Sequence, residues 1–387
     1  MKAPPRFEVP ADSSEFRDWS HLPDLPLSEV LGRLVPCLPS LAAFAATCRR
    51  WRRFLLASAS TLILPRVPPL LLQRDDHSKS NQNLLHAFSR GVIRKPVTSP
   101  AAASPCTLLS SSRGHLIFLA RPRGLLLLVD AFTGVERFAL PLPSPHYPHH
   151  YATLTAARLL LFVSKHAFVS LPFPPPDPVP EWTRHRLPRA ASFVASVVEF
   201  RGRVLGVTDR AQLLEFRLGA ASPDEEVQLL PAAGLPDAAA FETWHFGPRL
   251  VACGERLLLL LLRTSPEGSG GMRQPSWVWK VGVYALVDKA EGARWEETED
   301  LGGYSVFVDR AGRSAVACAD AGGCGAEGNR VYFAERWYHY HAGSQRFWKW
   351  FRPGQGWEGE EHHSQGLYVT GPMPTQAWVY PRLFFGR

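Results

Sequence analysis

Two histidines and two cysteines toward the carboxyl end of the chain have the side chains that zinc prefers. His339 and His341 alternate with tyrosines, so both imidazoles would lie on one face of a β-strand. Cys318 and Cys324 precede them and could supply sulfur ligands. Structural zinc sites space their cysteines and histidines in characteristic close pairs, and these four residues do not follow that spacing. We therefore expect no metal site.

Sequence motifs of catalysis are also lacking. The chain has no Gly-x-Ser-x-Gly nucleophile motif, no Gly-x-x-x-x-Gly-Lys phosphate loop and no Cys-x-x-Cys pair. The glycine-rich run at residues 265–271 has neither the lysine nor the following helix of a phosphate loop. We predict a non-catalytic protein that uses no cofactor.

Residues 336–357 combine a dense set of aromatic side chains with basic neighbours. Tryptophan, tyrosine and arginine dominate the energetics of protein–protein interfaces. One interpretation is therefore a surface that recognises a client protein. The alternative, in which these rings fill the core between strands, stays open. The candidate client-binding residues are Trp337, Tyr340, Trp348 and Trp350.

Charge and apolar content limit the partners of this 387-residue chain, which has a net charge of +8. Its basic residues are dispersed and form no block of five, so we expect no nucleic-acid interface. No apolar run approaches the roughly 18 residues of a membrane-spanning helix, and the charged first residues do not resemble a secretory signal. Six cysteines without paired spacing then indicate reduced thiols. We expect a cytoplasmic or nuclear protein that is not secreted and does not enter a membrane.

The elements that would position an interface begin with a helical segment at residues 18–62. Asp24 can cap the first helix, and Pro26 fits its first turn. Apolar residues at i, i+3, i+4 and i+7 share one face of this helix, namely Leu27, Val30, Leu31 and Leu34. A second apolar stripe follows at Leu41, Phe44, Cys48, Trp51 and Leu55. A segment this short cannot cover both its own core and a remaining apolar face, so it needs a partner.

This segment resembles the F-box, the helical module by which substrate receptors dock on the Skp-family adaptor of a cullin-based ubiquitin ligase. The resemblance rests on the Leu22-Pro23 start, the apolar face of the first helix and the closing Cys48-Arg49-Arg50-Trp51-Arg52. Gly32 and an alanine-rich second helix depart from the family pattern and weaken the expected affinity. The alternative is an ordinary helical hairpin packed on its own domain. The resemblance implies adaptor contacts by Leu22, Pro23, Leu27, Val30, Leu31, Leu34, Leu41 and Trp51.

From residue 106 the pattern changes to short strands separated by turns. Strands paired locally over such a length favour a radial repeat over one sandwich, and blades of roughly 40–50 residues would give about six or seven. We predict an α+β multidomain protein in which a small N-terminal all-α helical module precedes a large all-β domain, a β-propeller. The predicted boundaries are a disordered lead-in at 1–17, the module at 18–62, a connecting segment at 63–105 and the β domain at 106–387.

Several short stretches of the β region occur in a familiar order. Residues 125–141 read LLLLVDAFTGVERFALP, and residues 295–308 read WEETEDLGGYSVFV. Further matching stretches lie at residues 197–207, 250–259 and 328–333. In wording and order they are similar to plant F-box proteins with a KIB-type domain, over most of residues 106–340. The resemblance implies a propeller-like receptor domain and a plant source.

Together the two resemblances imply the substrate-recognition subunit of an SCF-type (Skp adaptor–cullin–F-box) ubiquitin ligase. Its module would bind the adaptor and through it a cullin, while its β domain would hold an unknown client protein. Two alternatives stay open. One is an enzyme or small-ligand binder on a propeller scaffold with a purely structural helical segment. The other is an F-box scaffold that acts outside ubiquitination.

Overall fold

A computed structural model describes most of the chain. The described residues are 19–35, 37–74, 81–85, 94–98, 106–144, 149–219, 226–235, 247–264, 278–289, 292–309, 313–319, 322, 326–338, 345–351, 357–363, 376–380 and 382–385. The predicted lead-in at residues 1–17 lies outside them.

Three α-helices form the amino-terminal module: α1 (Asp24–Leu34), α2 (Leu38–Thr47) and α3 (Arg49–Ser58), followed by a π-helix at Ala59–Ile63. Cys48 separates α2 from α3, and its Sγ accepts a hydrogen bond from the Trp51 backbone N–H at 3.5 Å. The expected cap by Asp24 is wrong. Pro23 occupies the N-cap position, and the Asp24 carboxylate instead accepts a hydrogen bond from Arg50 at 3.2 Å.

The β-strands of the described chain form six sheets. Sheet 1 begins with β1 (Leu70–Arg74), β2 (Asn81–Leu85) and β3 (Arg94–Thr98). Sheet 2 contains β4 (Thr107–Ser112), β5 (His115–Ala120), β6 (Leu125–Asp130) and β7 (Glu136–Pro141). Sheet 3 contains β8 (Tyr151–Leu154), β9 (Arg158–Phe162), β10 (Ala167–Pro172) and β11 (Thr183–Arg186).

The next two sheets repeat the four-stranded antiparallel pattern. Sheet 4 contains β12 (Val194–Phe200), β13 (Arg203–Thr208), β14 (Leu213–Phe216) and β15 (Val227–Leu230). Sheet 5 contains β16 (Arg249–Cys253), β17 (Arg256–Thr264), β18 (Val278–Lys289) and β19 (Gly292–Glu297).

Sheet 6 departs from this pattern because it has five strands and one parallel pair, between its first and third strands in chain order. Its members are β20 (Ser305–Asp309), β21 (Ala315–Cys318), β22 (Arg330–Tyr338), β23 (Gln345–Phe351) and β24 (Trp357–His363). The final strand, β25 (Gln376–Val379), returns to sheet 1 and pairs antiparallel with β1.

The innermost strands of neighbouring sheets contact one another around a closed ring. β25 contacts β4, β4 contacts β8, β8 contacts β12, β12 contacts β16 and β16 contacts β21. Sheet 6 closes the circle through contacts of β20 and β22 with β25. The large domain is thus a β-propeller, as the sequence predicts.

Sheet 1 joins the two ends of the propeller, and it moves a predicted boundary. Leu70 lies opposite Val379 and Leu71 lies opposite Trp378, so the last strand supplies the inner edge of the first sheet. Residues 63–105 are therefore not only a connecting segment. The propeller begins at residue 70 and not at residue 106.

A leucine-rich strand shows why the sequence folds into stacked sheets. Successive side chains of a strand point to opposite faces. In β17, Leu258, Leu260 and Leu262 pack toward sheet 6 with Val306 and Val331. The alternate residues at 257, 259 and 261 pack toward sheet 4. Both faces of the strand are buried between neighbouring sheets, which explains its unbroken apolar run.

We expect Trp378→Ala in β25 to weaken ring closure. Trp378 is 1% exposed, and its indole N–H donates to the Val308 carbonyl oxygen at 3.0 Å. The substitution should lower the free energy of unfolding by about 3–5 kcal/mol, as for other buried large-to-small changes. Urea denaturation measures the change. Trp19→Ala is the matched control, because Trp19 is 61% exposed and its loss should cost at most about 0.5 kcal/mol. Equal losses in the two variants would contradict the assigned role of β25.

Candidate functional site

The core of the helical module contains three of the eight predicted adaptor contacts. Leu27, Leu31 and Leu41 are at most 1% exposed. They pack with other residues of the module and with Tyr380 and Phe384, which follow β25. The apolar periodicity of α1 thus describes the module's own core, and these three leucines are closed to a partner in this conformation.

The other five predicted contacts keep part of their surface. Leu22, Val30, Leu34 and Trp51 are half-buried and Pro23 is exposed. A tilted ring contact and a hydrogen bond hold the Trp51 indole in place. Its ring centroid lies 4.7 Å from that of Phe44, and its Nε1 donates to the Trp19 carbonyl oxygen at 3.1 Å.

The predicted adaptor contacts do not include two exposed apolar residues of the module. Trp19 is 61% exposed and Leu25 is 74% exposed. Trp19 lies in a 3₁₀ turn before α1, and Leu25 lies off the apolar stripe, so helical periodicity selects neither. The available signal is their position on either side of Leu22-Pro23. We call Trp19, Leu22, Pro23 and Leu25 the module tip.

Residues of β21 and residues that follow β21 and β25 attach the module to the propeller. The Tyr380 hydroxyl donates to the Val67 carbonyl oxygen at 2.8 Å, and the Ala319 N–H donates to the Pro65 carbonyl oxygen. Val316 at the start of β21 packs against the module core together with Phe385. The helices therefore rest on the propeller through side chains of sheets 1 and 6.

A cavity of about 240 Å³ lies on the propeller axis, and all six innermost strands line it. We call it the channel mouth. Tyr380 and Phe385 also line it, so the cavity opens beside the helical module.

Hydroxyl groups join neighbouring sheets around the channel mouth. Inner strands carry backbone N–H and C=O groups that no further strand satisfies. The Leu154 N–H donates to Ser112 Oγ at 3.0 Å, and the Leu250 N–H donates to Ser196 Oγ at 3.2 Å. Each bond links one sheet to the next, so these polar side chains stabilise the ring in place of a continuous hydrogen-bond ladder.

Charged groups surround the same cavity. Arg113 forms an ion pair with Glu199 at 2.9 Å, which links sheet 2 to sheet 4. Arg313, with φ of 49°, precedes β21 in sheet 6. Its guanidinium carbon lies 5.6 Å from the centroid of the Tyr151 ring, which belongs to sheet 3 on the opposite side of the ring. A cation therefore reaches across the axis.

A second arginine lies within electrostatic range of Arg313. Arg249, at the start of β16, is 2% exposed. Its Nη1 donates to the carbonyl oxygens of Gly247 and Pro248 at 3.3 and 3.2 Å. Burial lowers the pKa of Arg249 to about 10, and repulsion from Arg313 adds to this shift. Burial also lowers the pKa of Arg313. A guanidinium with a pKa of about 10 is still charged at neutral pH.

Three of the four candidate client-binding residues lie in strands away from the inner edge of sheet 6. Trp337 lies in β22, while Trp348 and Trp350 lie in β23, opposite Ala334 and Tyr332. Both strands are separated from the axis by β20 and β21. Tyr340 lies outside the described residues.

Only one of the four candidate zinc ligands lies among the described residues. Cys318 is buried in β21, and Cys324, His339 and His341 lie outside the described residues. In the part of the chain that the structure describes, no three histidine, cysteine or acidic side chains cluster as metal ligands would. No helix among the described residues is long and apolar enough to cross a membrane.

Comparison with known proteins places the propeller in a family. A family described as "KIB1-4 beta-propeller" matches residues 85–368, well over half of the chain. This chain belongs to the KIB1-4 beta-propeller family. The match confirms the KIB-type resemblance for the β domain. The F-box assignment and the plant source stay predictions.

Other comparisons give distant structural likenesses only. No curated protein matches the chain. The virginiamycin B lyase from Staphylococcus aureus aligns at 13% identity with a TM-score of 0.35, over 59% of this chain and 66% of the lyase. PorZ of Porphyromonas gingivalis aligns at 13% identity with a TM-score of 0.38, over 79% of this chain and 38% of PorZ. The chain thus spans just under two thirds of the first of these and less than half of the second.

We expect a pH dependence of stability that originates at His150. Burial, and after it the Arg313 charge, lowers the pKa of His150 from 6.5 to about 4. As pH falls below 6.5, the unfolded chain binds a proton before the folded one does. Stability is therefore lost between about pH 6.5 and 4, by up to about 1.4 kcal/mol per pH unit.

Urea denaturation at pH 7 and pH 5 measures this effect. The free energy of unfolding should fall less between pH 7 and pH 5 in His150→Gln than in the unsubstituted protein. His166→Gln, which removes an exposed imidazole, serves as the control and should leave the difference unchanged. The prediction would be contradicted if His150→Gln lost as much free energy of unfolding between pH 7 and pH 5 as the unsubstituted protein does.

Proposed function

We propose that this KIB1-4 propeller protein is the substrate-recognition subunit of an SCF-type ubiquitin ligase. The observation that carries the proposal is the apolar module tip, where Trp19 and Leu25 are exposed on either side of Leu22-Pro23, on a three-helix module attached to a propeller. The module resembles an F-box in sequence, and a propeller is a domain suited to protein interaction.

Adaptor docking is assigned to the module tip and to the half-buried residues Val30, Leu34 and Trp51. The core leucines of α1 and α2 support this surface from beneath and do not touch the adaptor. Large exposed apolar residues such as Trp19 and Leu25 are costly to leave in water and are typical of interface anchors.

Exposed arginines favour an adaptor with an acidic surface. Arg49, Arg52 and Arg53 of α3 are exposed, and Arg52 and Arg53 immediately follow Trp51 in the chain. Opposite charges across an interface speed association and favour the correct orientation. We therefore propose that α3 supplies the charged rim and the module tip supplies the apolar centre.

The proposed role in ubiquitin transfer is non-catalytic. A receptor that binds the adaptor, and through it a cullin, while its propeller holds a client raises the local concentration of client lysines near the charged enzyme. The client would bind at the channel mouth or along β22 and β23. We place this activity in the cytosol or nucleus.

Adaptor binding should depend on the module tip. We expect the double variant Trp19→Asp/Leu25→Asp to bind a purified Skp-family adaptor at least about tenfold more weakly, because two apolar anchors would be replaced by charges. Biolayer interferometry with the full chain measures the affinity. Both side chains are exposed, so circular dichroism should show an unchanged fold.

Leu229→Asp is the matched control, because Leu229 is an exposed apolar residue of β15, away from the module. It should bind the adaptor with unchanged affinity. Adaptor binding that survives the double variant, or no binding by the unsubstituted protein, would dismiss the docking assignment. An F-box scaffold that acts outside ubiquitination would also bind the adaptor. Client ubiquitination in a reconstituted ligase distinguishes the receptor from such a scaffold.

A further inference from the structure

Arg313 lines the channel mouth, and Arg249 lies within electrostatic range of it. In the described part of the chain, neither Arg313 nor Arg249 forms an ion pair with a carboxylate. Arg249 is 2% exposed, and its Nε has no hydrogen-bond partner. A buried charge that is only partly compensated is expensive, so a site that keeps one is a candidate for binding an ion of opposite sign.

Two carboxylates near the channel mouth are engaged by other groups. Asp309 Oδ2 accepts hydrogen bonds from the Trp378 N–H at 2.9 Å and from the Ser314 hydroxyl. Glu199 pairs with Arg113 and accepts a hydrogen bond from the Ala156 N–H at 2.7 Å. Glu199 therefore neutralises Arg113. Asp309 lies within electrostatic range of Arg249 and partly offsets its charge, so the charge of Arg313 is the one available to a ligand.

The placement of Arg313 gives this charge access to the cavity. Arg313 lines the channel mouth, and the Tyr151 ring lies against one side of its guanidinium. A guanidinium presents paired N–H donors that match two oxygens of a phosphate or carboxylate. Arg249 lies within electrostatic range of Arg313 and adds positive potential at the same end of the axis.

We propose that the channel mouth binds an oxyanion, a phosphate ester or a carboxylate, with Arg313 as its principal contact. The volume of about 240 Å³ is below the roughly 300–1,000 Å³ of sites for drug-sized ligands. The occupant is therefore a small anion or one anionic side chain of a larger partner. The proposal does not rest on adaptor binding and stands whether or not the module is an F-box.

Isothermal titration calorimetry on the full chain tests the proposal. The probes are sodium phosphate, O-phosphoserine and sodium acetate, each at constant ionic strength set with chloride. We expect at least one probe to bind and Arg313→Met to raise its Kd at least about tenfold, because a hydrogen-bonded charge pair is lost. Arg189→Met, which removes an exposed arginine elsewhere on the propeller, should leave the Kd unchanged.

Comparison of the probes identifies the chemistry. Binding of phosphate and phosphoserine without acetate assigns a phosphate ester, and binding of acetate assigns a carboxylate; both outcomes support the site. Arg313→Lys keeps the charge but loses the paired donors, so its Kd should lie between those of the unsubstituted protein and Arg313→Met. If the methionine variant does not fold, the lysine variant provides the test. Absence of binding by every probe, or an unchanged Kd in both Arg313 variants, would overturn the proposal.

Discussion

The pairing of β25 with β1 is the interaction on which both parts of the molecule depend. It supplies the inner strand of sheet 1 and so closes the ring. Trp378 within β25 fills the core between sheets 1 and 6, and its backbone N–H binds Asp309. Tyr380 and Phe384 follow at once and complete the core of the helical module. One short segment at the end of the chain therefore holds the ring, the module and one wall of the channel mouth together.

The sequence predicts those parts of the fold in which neighbouring strands pair locally. Residues 125–141 form the expected hairpin of β6 and β7, and the run at 257–262 is a strand with both faces buried. The sequence does not predict sheet 1, because its inner strand comes from the other end of the chain. Periodicity carries no information on such a distant pair. Residues 70–98 consequently resembled a connection, although Leu70 and Leu72 pack against sheet 2.

The candidate sites follow the same division between local and distant information. Helical periodicity identifies Leu27 and Leu31 as a buried face, but it cannot say whether a partner or the chain itself covers that face. Here Tyr380 and Phe384 contribute to the cover, and they lie far away in sequence. Arg313 gives no signal at all, because an isolated arginine is usually a surface residue. Only ring closure brings it opposite Tyr151.

The seating of the helices on Val316, Tyr380 and Phe385 has a consequence for assembly geometry. Two regions joined by a flexible linker sample many separations, whereas packed side chains fix one distance and one orientation between them. If a partner binds the module tip as we propose, it would be held at one angle to the channel mouth. A change of that angle would require different packing between the helical module and the propeller. A longer loop would not change it.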